Sequence, residues 1–405
     1  MTSSAAPGRP AAMTSLSSML QRPLASYHIV LGTTAILIGL GLIMVLSASS
    51  VNSLRVNGNS YEVFIRQLAF MVLGTGVMIV AVRMPLDLVR KFSGLFLILV
   101  VGLVFATFTP LGIEVNGNRN WLPLVGGVRL QPSEFAKLAL VIWMAHMFAV
   151  RHKRIKTIKD MILPIGLIAI GVSGLVVVQK DLGTALILFA ITLGMLWVAG
   201  LPMKAVVFSV ALLAGAMAFF IATAPHRLAR LTSFWDPMAD PEGSGYQVVK
   251  AMMGFARGGF WGLGLGNSRQ KWGALPEAHT DFILAIIGEE LGLMGGLVLL
   301  ALFVLLGYGG YRVVVRSKDR FARYLAAGIT LWLMTQAVVN IAMVLKLLPV
   351  IGVPLPLISY GGSSLLVTMA ALGLLANCAK TEPGAARALK LAKKPKNKKS
   401  QKLRA

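Results

Sequence analysis

Long apolar runs broken by short polar links set the pattern of this chain. Runs lie near Ile29–Leu46, Val63–Val82, Phe92–Thr109, Pro132–Val150, Met161–Val178, Leu182–Ala199, Met203–Ala224, Leu291–Val315, Ala322–Leu345 and Ser363–Lys380. Each approaches the roughly 20 residues that a helix needs to cross a bilayer. The pattern predicts an all-α, polytopic membrane protein with about ten transmembrane helices. Met1–Gln21 has no apolar core of signal-peptide type, so Ile29–Leu46 reads as an uncleaved anchor.

Composition agrees. The chain of 405 residues is 56% hydrophobic and 13% charged, against about 25% charged in soluble domains. Its formal charge of +24 is not a nucleic-acid signature, because the basic residues alternate along the chain. They gather in Arg83–Lys91, Arg151–Lys159, Arg312–Arg323 and the tail beyond Lys380, with poorer segments between. The positive-inside rule then puts both termini in the cytoplasm and a large outer loop between helices 7 and 8. Three parts follow: a cytoplasmic N-terminal tail (1–26), a membrane domain (27–380), and a basic disordered tail (381–405) that touches anionic lipid. The single cysteine, Cys378, excludes an internal disulfide.

The polar islands fall on the outer side. Gly262–Gly292 runs from a glycine-rich basic loop with Arg269 and Lys271 into an apolar helix, expected to carry Asp281 in its first turn and then Glu289 and Glu290. Carboxylates in so apolar a setting are costly unless they pair, face water or do chemistry, which makes Asp281 the first candidate. Glu134 and Lys137 are three apart in the fourth span, so they share a helix face as an ion pair or as the wall of a wet cavity. Asp181 begins the sixth span and can cap it, with Lys180 beside it. Trp121 reads as an interface aromatic and Arg66 as a snorkelling side chain. The fourth outer region, Pro225–His279, carries Arg227, Arg230, Lys250 and Arg257, while Trp235, Trp261 and Trp272 suggest that it lies on the membrane surface. Its Gly262–Gly266 run lacks the strand that a dinucleotide fingerprint requires. Gly361-Gly362 ahead of Ser363 or Ser364 makes either a hairpin loop or a helix start with amides free for an anion. A carrier would place ionisable groups near the midplane of two related halves; the one-sided pattern fits an enzyme acting on a lipid-linked substrate at the outer leaflet.

These motifs resemble a known family. Arg227–Gln247, Gly264–Gly292 and Pro354–Ser364, together with Gln131–Lys137 and Gln179–Thr184, are similar to the SEDS proteins of shape, elongation, division and sporulation. The wording is closer to the division members than to the elongation members. The resemblance implies a peptidoglycan glycosyltransferase that polymerises lipid II, the undecaprenyl-diphosphate-linked disaccharide-pentapeptide, at the outer face of the bacterial cytoplasmic membrane and at the septum. Its alternative is a lipid II flippase. It also implies a class B penicillin-binding protein transpeptidase and the divisome regulatory subcomplex as partners, with no nucleic acid. The family's essential aspartate corresponds to Asp281 and its cavity residues to Glu134, Lys137 and Asp181; Trp121 takes the place of a loop tryptophan. Gln179, Lys271 and Ser363, inside matched motifs, join the substrate-binding set.

The chemistry needs one proton acceptor for the sugar hydroxyl and stabilisation of a departing diphosphate. Asp281 supplies the first as a general base, or holds a divalent cation, Mg2+ or Mn2+, that serves the second. The sequence does not choose between these roles, and no tightly bound organic cofactor is expected. His279, two residues away, is a weaker candidate than Asp281.

Overall fold

The computed structural model describes residues 22–115, 118–123, 129–154, 157–222, 234–243, 245–273 and 275–393. The basic positions Arg227 and Arg230, the N-terminal tail to residue 21 and the tail from 394 lie outside the described residues. Among the described residues, six helices are long and apolar enough to cross a membrane: α1 (Ala25–Asn57), α2 (Glu62–Arg83), α5 (Pro132–Arg151), α11 (Ile283–Arg316), α12 (Arg320–Val344) and α13 (Gly362–Lys380). Shorter apolar helices are α4 (Ser93–Ala106), α7 (Leu167–Val178), α8 (Leu182–Val198) and α9 (Met203–Ala222). Together they occupy the ten expected runs. Further described α-helices are α3 (Leu86–Lys91), α6 (Ile158–Met161), α10 (Tyr246–Gly258) and α14 (Pro383–Lys393).

With 33 residues at 1.5 Å rise, α1 is about 50 Å long and overreaches a hydrocarbon core of about 30 Å. One end therefore extends beyond the bundle core, and it stops at Gly58, whose left-handed φ of 71° lets its N–H return to the Leu54 carbonyl. The run from Met161 is entered through a π-helical turn, Ile162–Gly166, where Pro164 cannot donate to a regular ladder.

The core sits between α5, α12 and α13, largely buried helices, with Trp332 the largest side chain fully enclosed. Helices associate in lipid by close packing rather than by exclusion of water. At the contact of α13 with α2, a Cβ on Gly373 would stand 2.6 Å from the Met78 carbonyl oxygen. In contrast, α2 and the second part of α11 turn much of their apolar surface outward, as lipid-facing helices do.

Two expectations need correction. The chain is not purely α-helical: between α4 and α5, β1 (Ile113–Val115), β2 (Asn118–Pro123) and β3 (Arg129–Leu130) form a small antiparallel sheet in the order β1-β2-β3. The tail expected to be disordered from residue 381 instead begins as α14, because the apolar positions of Pro383–Lys393 fall on one helical face. Ala385 is buried there, and Arg316 stands 3.9 Å from Glu382.

Candidate active site

The glycine-rich loop earns its composition at a break in α11. Gly292 interrupts the helix with φ 67° and ψ −165°, a conformation only glycine adopts without strain. The backbone groups freed by the break are taken up by the loop. Leu263 and Gly264 donate their N–H groups to the Glu289 and Glu290 carbonyls, and Leu293 and Met294 donate to Gly259 and Phe260. A Cβ on Gly292 would collide with the Gly262 nitrogen. The side chains of Glu289 and Glu290 reinforce the same join. Glu289 accepts from the Ser268 hydroxyl and from the N–H groups of Arg269 and Gln270, both at 3.2 Å. Glu290 accepts from Ser47 at 2.7 Å and Ser268 N–H at 3.2 Å, and pairs with Lys271 at 3.4 Å. Lys271 also donates to Ser47 and to the Gly266 carbonyl. Its charge is thus committed to the scaffold that ties the loop to α1.

Asp281 lies before α11, not in its first turn. The helix opens at Ile283 with Phe282 as its N-cap, and Asp281 sits in the turn that Phe282 N–H closes onto Glu277 O at 3.1 Å. Three successive carbonyls here are held from outside. His279 O accepts from Tyr360 N–H at 2.9 Å, Thr280 O from the Ser359 hydroxyl at 2.6 Å, and Asp281 O from Asn340 Nδ2 at 2.8 Å. The carboxylate itself receives no hydrogen bond and no salt bridge from the described residues. Burial, then Glu277, then Asp181 push its pKa up to about 7. Burial also lowers the pKa of His279, whose ring lies 5.6 Å from that of Tyr360, with Glu277 opposing the shift. Glu277 itself takes a left-handed φ of 54°, and Lys180 and Leu357 are also left-handed non-glycine residues. Such conformations are held by their surroundings and concentrate at functional sites.

Asp181 caps α8 as expected, accepting Thr184 N–H at 3.1 Å on Oδ1. Its other oxygen gathers three donors: Gln131 Nε2 at 2.9 Å, Ser133 Oγ at 3.2 Å and Asn120 Nδ2 at 3.3 Å. Gln131 in turn donates its backbone N–H to Ser363 Oγ at 3.1 Å. The starts of α5, α8 and α13 and the strand β2 thereby meet around one carboxylate. Ser363 belongs to this cluster through Gln131, and the glycines before it serve packing as well: a Cβ on Gly362 would strike the Phe70 ring. Trp121 is half-buried on β2, on the face opposite Asn120. Gln179 turns toward the end of α4 and donates to Thr107 Oγ1 and Val104 O.

The pair on α5 is buried. Lys137 Nζ is 2.8 Å from Glu134 and 3.0 Å from Gln336 Oε1, and stands 5.3 Å from the centre of the Trp332 ring. Glu134 Oε2 has no partner among the described residues. A charge taken out of solvent needs such compensation. Arg66, read as snorkelling, is exposed and bonds Glu62 at 2.6 Å.

Comparison with known proteins decides the family. The family described as cell cycle protein, which groups FtsW, RodA and SpoVE, matches residues 27–383. A Mycobacterium tuberculosis protein named "Probable peptidoglycan glycosyltransferase FtsW" is 42% identical over 386 residues, covering 95% of this chain and 73% of that one. The chain belongs to the FtsW–RodA–SpoVE family. Its fold agrees. A chain from a solved peptidoglycan synthase complex that coordinates polymerization and crosslinking superposes with TM-score 0.73 at 27% identity, over 87% of this chain and 97% of that one. Thermus thermophilus RodA, the rod shape determining protein, gives 0.63 at 26% identity, over 87% and 96%.

Within this FtsW–RodA–SpoVE chain, the residues expected to share a site fall into three groups. Asp181 is close enough to Asp281 for its charge to raise the Asp281 pKa, and Ser363 joins Asp181 through Gln131. Glu134 and Lys137 reach the Asp281 region through Gln336 and Asn340 on α12. Lys271, Gln179 and Trp121 make the separate contacts already given. Sequence reading missed Asn120, Gln131 and Ser133 as ligands of Asp181, and Gln336 and Asn340 on α12. The last two carried a signal: two amides four apart in an otherwise apolar span share a helix face.

Proposed function

We infer that this chain is a peptidoglycan glycosyltransferase of the division type, polymerising lipid II at the outer face of the cytoplasmic membrane. The names of its close relatives support the reaction. The observation that carries the site is Asp281: a carboxylate held by its backbone, given no donor by the described residues, and near the negative charges of Glu277 and Asp181. That is the environment of a base. In the reaction the acceptor sugar hydroxyl passes its proton to Asp281 as its oxygen attacks the donor anomeric carbon. The bond from that carbon to the diphosphate breaks, and the diphosphate departs on its lipid.

A divalent cation fits this site only as a shared ion. The described residues hold no group of three His, Cys, Asp or Glu, and the Asp181 oxygens already accept four donors. Asp281 would hold it together with the substrate diphosphate and water, as is usual for Mg2+. When bound, such an ion would neutralise charge on the leaving diphosphate.

The synthase complex among the structural neighbours couples polymerization to crosslinking, which supports a transpeptidase partner of the class B penicillin-binding type. The division-type relatives support the divisome complex as a further partner and the septum as the location. The basic links at one end of the bundle support cytoplasmic termini.

The test uses purified protein with its transpeptidase partner and labelled lipid II. Wild type should yield glycan polymer and Asp281→Asn at least about a hundredfold less, while lipid II still reaches the outer leaflet. Loss of translocation, with polymerisation of externally supplied lipid II intact, would overturn the transferase in favour of a carrier.

A further inference from the structure

We propose that Asn340 is a positioning residue for Asp281, assisted by Gln336, and that this α12 amide pair links the buried Glu134–Lys137 pair to the site. The proposal rests on the glycosyltransferase reading above.

Gln336 and Asn340 lie four apart on α12 and are fully buried. Asn340 spends its Nδ2 hydrogens on carbonyls from two separate loops: Asp281 O at 2.8 Å and Val353 O at 2.7 Å. Gln336 donates to the next carbonyl, Pro354 O, at 2.9 Å. Neither amide can turn over. A flipped Asn340 would set its oxygen against two carbonyl oxygens. Gln336 Oε1 is held by Trp332 Nε1 at 2.8 Å and Lys137 Nζ at 3.0 Å, so its NH2 group must face Pro354. Lys137 is oriented in its turn by Glu134.

The segment held this way stands against the reacting carboxylate. Gly352, beside Val353, has φ 70°, and a Cβ there would lie 3.5 Å from Asp281 Oδ2. Asp281 faces Asp181 from the start of α8 and Glu277 from its own turn, while His279 lies against Tyr360. Two like charges push the carboxylate away from both, and no donor of the described residues pulls it in. What keeps it in place is therefore its backbone. Asn340 also leaves its own Oδ1 buried without a partner among the described residues, a cost that an apolar residue of the same size would avoid. A residue present only to fill α12 would not carry that cost.

The experiment is a double-mutant cycle in the full-length protein with its transpeptidase partner and labelled lipid II. Asn340→Leu keeps the volume and removes the donors. It should lower kcat by about tenfold or more and leave KM within about threefold. Added to Asp281→Asn, it should change the residual rate by less than about twofold, because both substitutions remove the same function. Full kcat in a folded Asn340→Leu protein, or effects that multiply in the double variant, would overturn the proposal. Where the Leu variant does not accumulate folded, Asn340→Ser, which retains one donor, is put through the same cycle. An active Asp281→Asn protein would instead sink the site reading itself, so the two failures are distinguishable.

Discussion

Two sets of carboxylates a few residues apart meet opposite fates. Glu289 and Glu290 are wholly buried and saturated with donors from Ser47, Ser268, Arg269, Gln270 and Lys271. Asp281, eight residues before Glu289, is fixed by its backbone while its carboxylate receives no donor from the described residues. A buried carboxylate that collects donors is spent on structure; one that is positioned and denied donors remains available for chemistry. Asp181 is of the first kind, yet its charge acts on the second.

The comparison breaks most visibly at Glu290. Glu290→Ala strands Lys271 in the interior and should remove about 3–5 kcal/mol of stability. Thermal unfolding in detergent measures it; a loss under about 1 kcal/mol would mean that the pair does not hold the loop.

Asp281→Asn should do the reverse, leaving the protein folded while polymerisation drops about a hundredfold or more, equivalent to about 2.7 kcal/mol of barrier. Glycan made at the normal rate by this variant would place the chemistry elsewhere.

The pH profile sharpens the contrast. With Asp281 titrating at about 7 and acting as base, the rate should fall roughly tenfold per pH unit below that value and level off above it. Stability moves the other way. The folded-state pKa is raised from 3.8 to about 7, so the unfolded chain ionises first and stability declines as pH rises through that window. Asp281→Asn should remove this decline. An unfolding temperature with the same pH dependence in both proteins would contradict it.

Smallest is Glu277→Gln. Glu277 is exposed and is the largest charge effect on Asp281, so neutralising it should shift the acid limb of the rate profile to lower pH. Stability should stay within about 0.5 kcal/mol. A profile that does not move would show that Glu277 is too well solvated to matter.

Much of this was legible in the linear chain. The ten apolar runs read as helices because a span needs length and apolarity, both local properties. Asp281 stood out for the same reason, as a carboxylate where carboxylates are costly, and the motif wording pointed to the right family. The capping role of Asp181 was also local, needing only a helix start. Less legible were the short sheet around Asn120, whose pairing depends on partners across a turn, and helix α14, where periodicity was hidden by its lysines and arginines.

What composition and periodicity determined was thus the solvent of the fold and the identity of its costly residues. Whether each costly residue was spent or spare was decided in three dimensions. Glu290 met Ser47 across 243 positions of chain, and Lys137 met Gln336 across 199. Asn340 met Asp281 from a different helix. No local rule ranks such pairings, because the energy of a buried charge depends on which donors the packed helices bring within hydrogen-bond reach. The chain therefore announced its acids, and the tertiary structure chose which of them its own donors would engage.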